Sequence, residues 1–503
     1  MELISFSFIA LIFGALLVYY LVPAKWQWVV LLVASGVFYA FVGWQACFFV
    51  LITASTIYGA TVFMSRLAKK DKRRKAIYVT TLLLNLGVLC VFKYLAFALE
   101  LIAPVLAGLG ANAPSVSLIA PLGISFYTFQ AVGYLTDVYW GNTAAEKNYF
   151  KCLLFVSFFP QMTQGPISDF KQLSGQIFAP HKYNYRNFSW GFWRLVWGFA
   201  KKMLLANYLD WYCQSAFMDF GEFSGLSTFI LIFLYAIEVY ADFSGYMDIV
   251  CGACEMFGIT LTENFVRPYF SKDVSEYWRR WHITMGTWFK KYVYYPVATS
   301  RLNQRFAKFL RKHTSRHIAR SAPATIALIV TWFTTGLWHR ASVGYIVWGL
   351  LNGFVIIVSL WLEPVYAWLR EKLHINASSW LFRGFQVART FFIISIIKVL
   401  PDARGIGNGL KLIAHAFTAK FLPDSFTLDT VIAQHAQWRY GYIGIFMILL
   451  MFIVDIVSYR RPAREYIFRL PLAVRAVIMA AFIAAIFMFG DMDLTVGFMY
   501  AQY

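Results

Sequence analysis

Charge is scarce in this chain. Asp, Glu, Lys and Arg make up 14% of its 503 residues, where a soluble protein carries about 25%. The shortage argues against a soluble globular enzyme, and the wealth of aromatic residues excludes a disordered chain. Acid is scarcer than base: 25 acidic residues stand against 45 basic ones, a net charge of +20. Cysteine is sparse too. Four of the six, Cys47, Cys90, Cys152 and Cys213, are isolated among apolar or aromatic neighbours and read as small packing residues. Cys251 and Cys254 form a C-x-x-C, but no second pair stands at zinc-finger spacing, and no metal is expected. The chain has no G-x-G-x-x-G, no Walker sequence, no low-complexity tract and no convincing internal repeat. Dinucleotide-binding, P-loop and solenoid architectures therefore have no support.

What is present is apolar. Hydrophobic residues reach 60%, and 49 Phe, 30 Tyr and 18 Trp bring the aromatics to 19%. Mean hydropathy is +0.58. A helix needs about 20 apolar residues to cross a hydrocarbon core of about 30 Å. Stretches that approach this length lie at 3–22, 28–44, 46–65, 76–92, 94–110, 226–241, 342–362, 386–400, 441–458 and 471–490, with less regular ones at 115–140, 149–165, 188–206 and 324–338. The pattern predicts an all-α polytopic membrane protein with about eleven transmembrane helices, some tilted or broken, joined by re-entrant or interfacial helices. Because the runs are continuous rather than alternating, a β-barrel is disfavoured. One integral-membrane domain over 1–503 is expected, with N-terminal helices at 1–110, a motif-bearing core at 115–362 and C-terminal helices at 380–503. The first apolar run follows Met1 and Glu2 without a basic leader, so it reads as a retained helix.

Basic residues collect between the apolar runs. Residues 66–75, RLAKKDKRRK, hold seven Lys or Arg against one Asp, and 301–320 hold seven more without an acid. By the positive-inside rule both face the cytoplasm, as do Arg460, Arg461, Arg464 and Arg469. Counting back from the first basic stretch puts the N-terminus outside. Most of the +20 is thus a topological label, and nucleic-acid binding is not expected. His313 and His317, at i, i+4 spacing, are surrounded by Arg and read as part of a solvated loop. His181, His374, His415 and His435 have no ligand-like cluster around them.

Polar residues within an apolar chain are functional candidates by default, and three regions hold them. YADFSGYMDI, at 240–249, follows an apolar run and carries Asp242, Ser244 and Asp248; the competing reading is a helix break whose polar groups satisfy one another. From Asn264 to Pro296, five basic residues besides Arg267 alternate with Trp278, Trp281 and Trp288, which suits an interfacial helix or a re-entrant hairpin. His282 is its only imidazole. The third region is TWFTTGLWHRASVGYIVWG at 331–349. The 15 residues from Ala324 to Trp338 give roughly 22 Å of helix, short of a crossing, which leaves His339 in the outer half of the membrane beside Arg340.

These segments resemble the membrane-bound O-acyltransferase family, specifically the bacterial branch that contains alginate O-acetyltransferase and the teichoic acid D-alanyl transfer protein. The matching stretches are PLGISFYTFQ (121–130), FFPQMTQGPI (158–167), YADFSGYMDI, NFVRPYFSKDVSEYWRRWHIT and TGLWH. The resemblance implies a ring of helices around a buried reaction centre, a thioester donor entering from the cytoplasm and an acceptor from the other side. It implies that His339 is the essential intramembrane histidine and His282 the second motif histidine. The chain departs from the family at Arg340, where Gly is common, at Lys290 and Lys291, where a basic–acidic pair is common, and at Val297 and Ala298, where Gly-Gly is common.

On this reading the chain is a transferase of the bacterial cytoplasmic membrane that acetylates hydroxyls of a secreted or cell-surface polysaccharide. It acts directly or with an extracytoplasmic acetyltransferase- or esterase-like partner. His339 and His282 are the expected catalytic residues. Trp278, Arg279, Arg280, Trp281, Lys290, Lys291, Trp338, Arg340, Asp242 and Gln130 are the candidates for binding donor or acceptor. The basic group Arg279, Arg280, Lys290 and Lys291 suits phosphates of coenzyme A or acidic residues of a carrier protein, with anionic lipid headgroups as the competing ligand. No tightly bound cofactor is expected, since acetyl coenzyme A or an acyl-carrier thioester is the donor. The alternatives are D-alanyl transfer from a carrier-protein thioester to teichoic acid and, in another class, a transporter or flippase of a lipid-linked glycan.

Overall fold

Helices form wherever the apolar runs are long, because a backbone in lipid must satisfy its own hydrogen bonds. The computed structural model describes residues 4–111, 114, 116, 118–162, 164–422 and 441–490; His435 and the terminal GFMYAQY lie outside them. The elements are α1 (Phe6–Leu21), α2 (Gln27–Val42), α3 (Trp44–Ser65), α4 (Lys72–Gly108), α5 (Ile124–Trp140), α6 (Tyr149–Ser157), α7 (Phe170–Ile177), α8 (Tyr185–Lys201), α9 (Asn207–Met218) and α10 (Gly225–Met256). There follow α11 (Val274–Arg280), α12 (Ile283–Phe289), α13 (Tyr295–Ala298), α14 (Arg301–His313), α15 (Arg316–His339), α16 (Val343–Trp361), α17 (Glu363–Lys372), α18 (Trp380–Asp402) and α19 (Ile406–Thr418), and then helices at Gly441–Val457, Ala463–Ile467 and Leu472–Phe489. Among the described residues eight helices are long and apolar enough to cross a membrane, and Phe6–Leu21 and Tyr442–Val457 are shorter apolar helices. The protein is an all-α polytopic membrane protein.

Four expectations change. The runs at 76–92 and 94–110 are one helix, α4, of 37 residues, because the single Lys93 between them does not interrupt a helical backbone. YADFSGYMDI is no break: α10 continues through it for 32 residues, its polar groups finding partners on neighbouring helices. The 301–320 stretch is helical, not a loop. α14 carries Leu302, Phe306, Phe309 and Leu310 on one side and Arg301, Arg305, Lys308, Arg311 and Lys312 on the other, the pattern of an interfacial helix. α15 then begins at Arg316 and has 24 residues, about 36 Å at 1.5 Å each. That length suffices for a crossing, so the premise of a short helix before His339 does not hold.

The helices gather into two compact units. The first holds the described residues up to Gly198, with Tyr246–Thr262. Its core is aromatic: Phe8, Phe38 and Phe159 meet edge to face or tilted at 6.2–6.3 Å, and Tyr134 stacks on Phe170 at 4.2 Å. Basic residues of the 66–75 stretch also serve structure here. Arg74, buried, donates from Nη2 to the carbonyls of Val138 and Tyr139 at 2.7 and 3.0 Å, satisfying the C-terminal end of α5. Arg194 pairs with Asp248 at 2.8 Å and Glu255 at 2.9 Å, which accounts for Asp248. Cys251 and Cys254 are both buried.

The second unit holds Phe199–Gly245 and the described residues from Glu263 onward. Its centre is the antiparallel pair α15 and α16, joined by three residues. Glycine lets them approach closely. A Cβ at Gly336 would lie 2.3 Å from the Tyr345 carbonyl oxygen, and one at Gly349 2.4 Å from that of Trp332. Small residues at such crossings are the membrane solution to helix packing, since lipid leaves van der Waals contact as the main attraction.

Candidate active site

His339 is the last residue of α15, and Ser342 starts α16 as its N-cap, its hydroxyl accepting from the Tyr345 amide at 3.3 Å. The sharp return and the glycine contacts bring three aromatic rings against His339. Trp338 and Trp348 each lie 5.0 Å from it and Tyr345 6.2 Å, between ring centres. His339 is 3% exposed. Arg340 is exposed: the helix ends at His339, so the next side chain leaves in a different direction and its charge does not share the burial of the imidazole.

His282 reaches the same place from a different part of the chain. It sits between α11 and α12 with φ 46° and ψ 51°, a left-handed conformation uncommon for a residue with a Cβ. A small clasp holds it there. Phe265 and Trp281 form an antiparallel bridge, the Val266 amide donates to the Arg280 carbonyl at 2.9 Å and the Ile283 amide to the Asn264 carbonyl at 3.1 Å. Asn264 Oδ1 accepts from the Thr284 amide at 2.9 Å and its hydroxyl at 2.7 Å. Strained backbone that surrounding contacts over-determine is concentrated at functional sites. The His282 side chain is 0% exposed, and burial pushes its pKa down to about 3, so the ring is neutral at ordinary pH.

The two imidazoles are 6.3 Å apart between ring centres. Trp338 lies 6.2 Å from His282 as well, and Phe243 of α10 covers His282 at 4.7 Å. Two rings with donor and acceptor nitrogens thus share one enclosure of aromatic side chains. Such a place excludes bulk water and can move a proton to or from a group lodged between the rings.

The remaining candidates divide. Trp278 donates from Nε1 to Asn352 Oδ1 at 3.1 Å and packs on Trp332 and Trp348, so it supports the aromatic wall. Trp281 is buried, with the Lys398 ammonium 3.6 Å from its ring centre. Asp242 is paired with Lys202 at 2.6 Å, both side chains 2% exposed, and Ser244 accepts from Lys201 at 2.8 Å. Arg280 is tied to Glu276 at 2.6 Å, whereas Arg279 and Lys290 are exposed. Lys291 lies against Tyr292, 5.0 Å from its ring centre. Gln130 belongs to the first unit, where its amide donates to the Phe155 carbonyl at 2.7 Å. A further cationic surface lies on α14, where Arg301, Gln304, Arg305, Lys308 and Arg311 line a cavity of about 410 Å³.

Several ionisable residues of the second unit escaped the sequence reading. Lys201 and Lys202, both buried, lie at the start of a π-helical turn over Lys202–Ala206, whose extra residue per turn accompanies the inward placement of two consecutive side chains. Glu238, Lys398 and Asp402 also sit in apolar segments. Ionisable residues in apolar runs are the signal that would have found all five.

A model of the membrane-bound O-acyltransferase family matches residues 146–311, a range that includes His282 and ends before His339. The chain is 30% identical over 416 residues to the probable alginate O-acetylase AlgI of Azotobacter vinelandii, across 82% of this chain and 76% of that one. It is 28% identical over 428 residues to the peptidoglycan O-acetyltransferase of Helicobacter pylori, across 78% and 75% of the two chains. To the teichoic acid D-alanyltransferase of Streptococcus thermophilus it is 27% identical over 266 residues, across 52% and 60%.

Proposed function

The chain belongs to the membrane-bound O-acyltransferase family and is an acyltransferase, and from that premise we propose that it moves an acetyl group from a cytoplasmic thioester to hydroxyls of a secreted or cell-surface polysaccharide. The relatives that it matches over most of both chains are named for O-acetylation, of alginate and of peptidoglycan. The match to the D-alanyltransferase covers about half of the chain. The bacterial cytoplasmic membrane is the setting that this assignment requires. Transfer is direct or passes through an extracytoplasmic acetyltransferase- or esterase-like partner.

One observation carries the mechanism: two buried imidazoles, 6.3 Å apart, inside an aromatic enclosure. A ring nitrogen of His339 takes the proton of the acceptor hydroxyl as its oxygen attacks the thioester carbonyl carbon. The tetrahedral intermediate collapses with cleavage of the carbon–sulfur bond, and the departing thiolate receives the proton from the imidazolium. Neutral His282 has one N–H to donate to the carbonyl oxygen, where negative charge develops. Burial keeps water from competing for the donor. The exposed pair Arg279 and Lys290 provides an electrostatic landing for donor phosphates or for the acidic face of a carrier protein.

His339→Ala is expected to abolish acetylation while the protein stays in the membrane at normal abundance. Retained acetyl content in the polysaccharide would sink the assignment. Purified protein supplied with labelled acetyl coenzyme A or with a D-alanyl-charged carrier protein separates the two donors: label from acetyl coenzyme A is expected, and label only from the carrier would replace the proposal with D-alanylation.

A further inference from the structure

Among the described residues, Glu238 and Lys398 are buried ionisable groups that the mechanism does not use. Glu238 stands one turn before Asp242 on α10, and Lys398 one turn before Asp402 on α18, so each pair shares a helix face. Asp242 is taken up by Lys202 at 2.6 Å, and Asp402 accepts from the Tyr345 hydroxyl at 2.7 Å. Glu238 is 1% exposed, and its Oε2 has no hydrogen-bond partner among the described residues. Lys398 is 9% exposed and rests its ammonium on the face of Trp281. Its charge interacts with the carboxyl groups of Asp402 and Glu238.

Lys398 and Asp402, one turn apart on α18, connect to the reaction centre through two aromatic residues. Trp281, under Lys398, is the residue before His282. Tyr345, bonded to the carboxylate one turn beyond Lys398, packs on His339. A carboxyl oxygen and an ammonium held in helices of membrane length are costly unless something polar meets them. A sugar hydroxyl has the matching chemistry, because its oxygen accepts from an ammonium while its hydrogen is donated to a carboxylate. We infer that Glu238 and Lys398 form the hydroxyl-recognising part of the acceptor site, Lys398 donating to one hydroxyl of the incoming glycan and Glu238 accepting from one, so that a further hydroxyl is presented to His339. The inference rests on the acetylation reading and names the groups that hold its acceptor.

The test uses full-length protein in lipid discs, labelled acetyl coenzyme A as donor, and oligosaccharides cut from the host's own surface polysaccharide after alkaline removal of acetyl groups. Glu238→Gln and Lys398→Met are each expected to raise the acceptor KM roughly tenfold or more, with the donor KM and kcat little changed, because the lost contacts are made equally in ground and transition states. Lys398→Arg, which keeps the donor, is expected to recover most of the acceptor affinity. Calorimetric titration of the oligosaccharide into wild-type and Lys398→Met protein reads the same contact without turnover, and a weaker complex with the variant is expected. Unchanged acceptor KM in both variants, or equal affinities in the titration, overturns the site while leaving acetyl transfer intact. A fall in thermal stability with equal losses toward donor and acceptor assigns the pair to structure and also overturns it. Failure of the wild-type protein to transfer label from acetyl coenzyme A to the glycan removes the reading beneath the site, and the site with it.

Discussion

Gly336→Ala tests whether the spacing of one helix pair sets the reaction centre. The new Cβ would fall 2.3 Å from the carbonyl oxygen of Tyr345, 3.1 Å from its carbonyl carbon and 3.2 Å from Cα of Ile346. All three are backbone atoms, so no side chain can swing away. Ordinary contact begins near 3.4 Å, and the first turn of α16 must therefore withdraw from α15 by about 1 Å. That turn carries Tyr345, and Trp348 follows one turn on; both pack on the His339 ring. Overpacking of this kind costs about 1–3 kcal/mol of stability, and a displacement of about 1 Å at reacting groups lowers the rate by roughly 10²-fold. The assay is transfer of label from acetyl coenzyme A to polysaccharide, normalised to the amount of protein in the membrane. Gly87→Ala is the control, since a Cβ there meets nothing within 4 Å. If Gly336→Ala transfers label within about twofold of wild type, at normal abundance, close approach of α15 and α16 does not position the imidazole.

Three further outcomes are expected. Lys202→Met and Asp242→Leu each remove one half of the buried 2.6 Å pair and should cost about 3–5 kcal/mol, read as lowered thermal stability in lipid discs; the double variant should recover much of the summed loss, and additive losses would show that the two groups do not interact. Burial holds His282 neutral down to about pH 3, whereas an unfolded histidine protonates near 6.5, so between these values the unfolded chain binds the extra proton and stability declines as pH falls. The slope is about 1.4 kcal/mol per pH unit; His282→Gln should flatten it, and an unchanged slope would locate the titration elsewhere. Arg279→Ala together with Lys290→Ala should raise the donor KM and weaken its dependence on salt, while Arg280→Ala, which breaks the pair with Glu276, should mainly reduce stability. Equal donor KM values with and without the two exposed charges would remove them from the docking surface.

The two candidate imidazoles were legible because they violate the local rule, while their catalytic roles are what the resemblance implies. His282 and His339 are imidazoles in aromatic, apolar surroundings, and a polar side chain there stands out from composition alone. Arg340 and Gln130 were less legible. Arg340 is the neighbour of His339 along the chain but is exposed, because the α15 end redirects the backbone within one residue. Gln130 satisfies a backbone carbonyl within its own unit, a demand no linear pattern reveals. The basic stretch at 301–320 misled in another way: its cations suggested a solvated loop, yet they occupy one side of α14 while Leu302, Phe306 and Phe309 occupy the other. Charge density disguised helical periodicity.

The amino-acid sequence by itself determined the solvent, the helical class and the reaction class. Low charge and long apolar runs demand lipid, lipid demands internally bonded helices, and several ordered motifs mark an acyltransferase. Which residues meet was decided only in three dimensions. His282 and His339 are 57 positions apart, and nothing in periodicity brings them to 6.3 Å. That distance depends on a left-handed residue clasped by Asn264, on two glycines that let helices touch, and on aromatic rings that fill what remains. Helix formation is local, and residue type predicts it. Helix approach depends on the shapes of two surfaces at once, so no single stretch of chain encodes it.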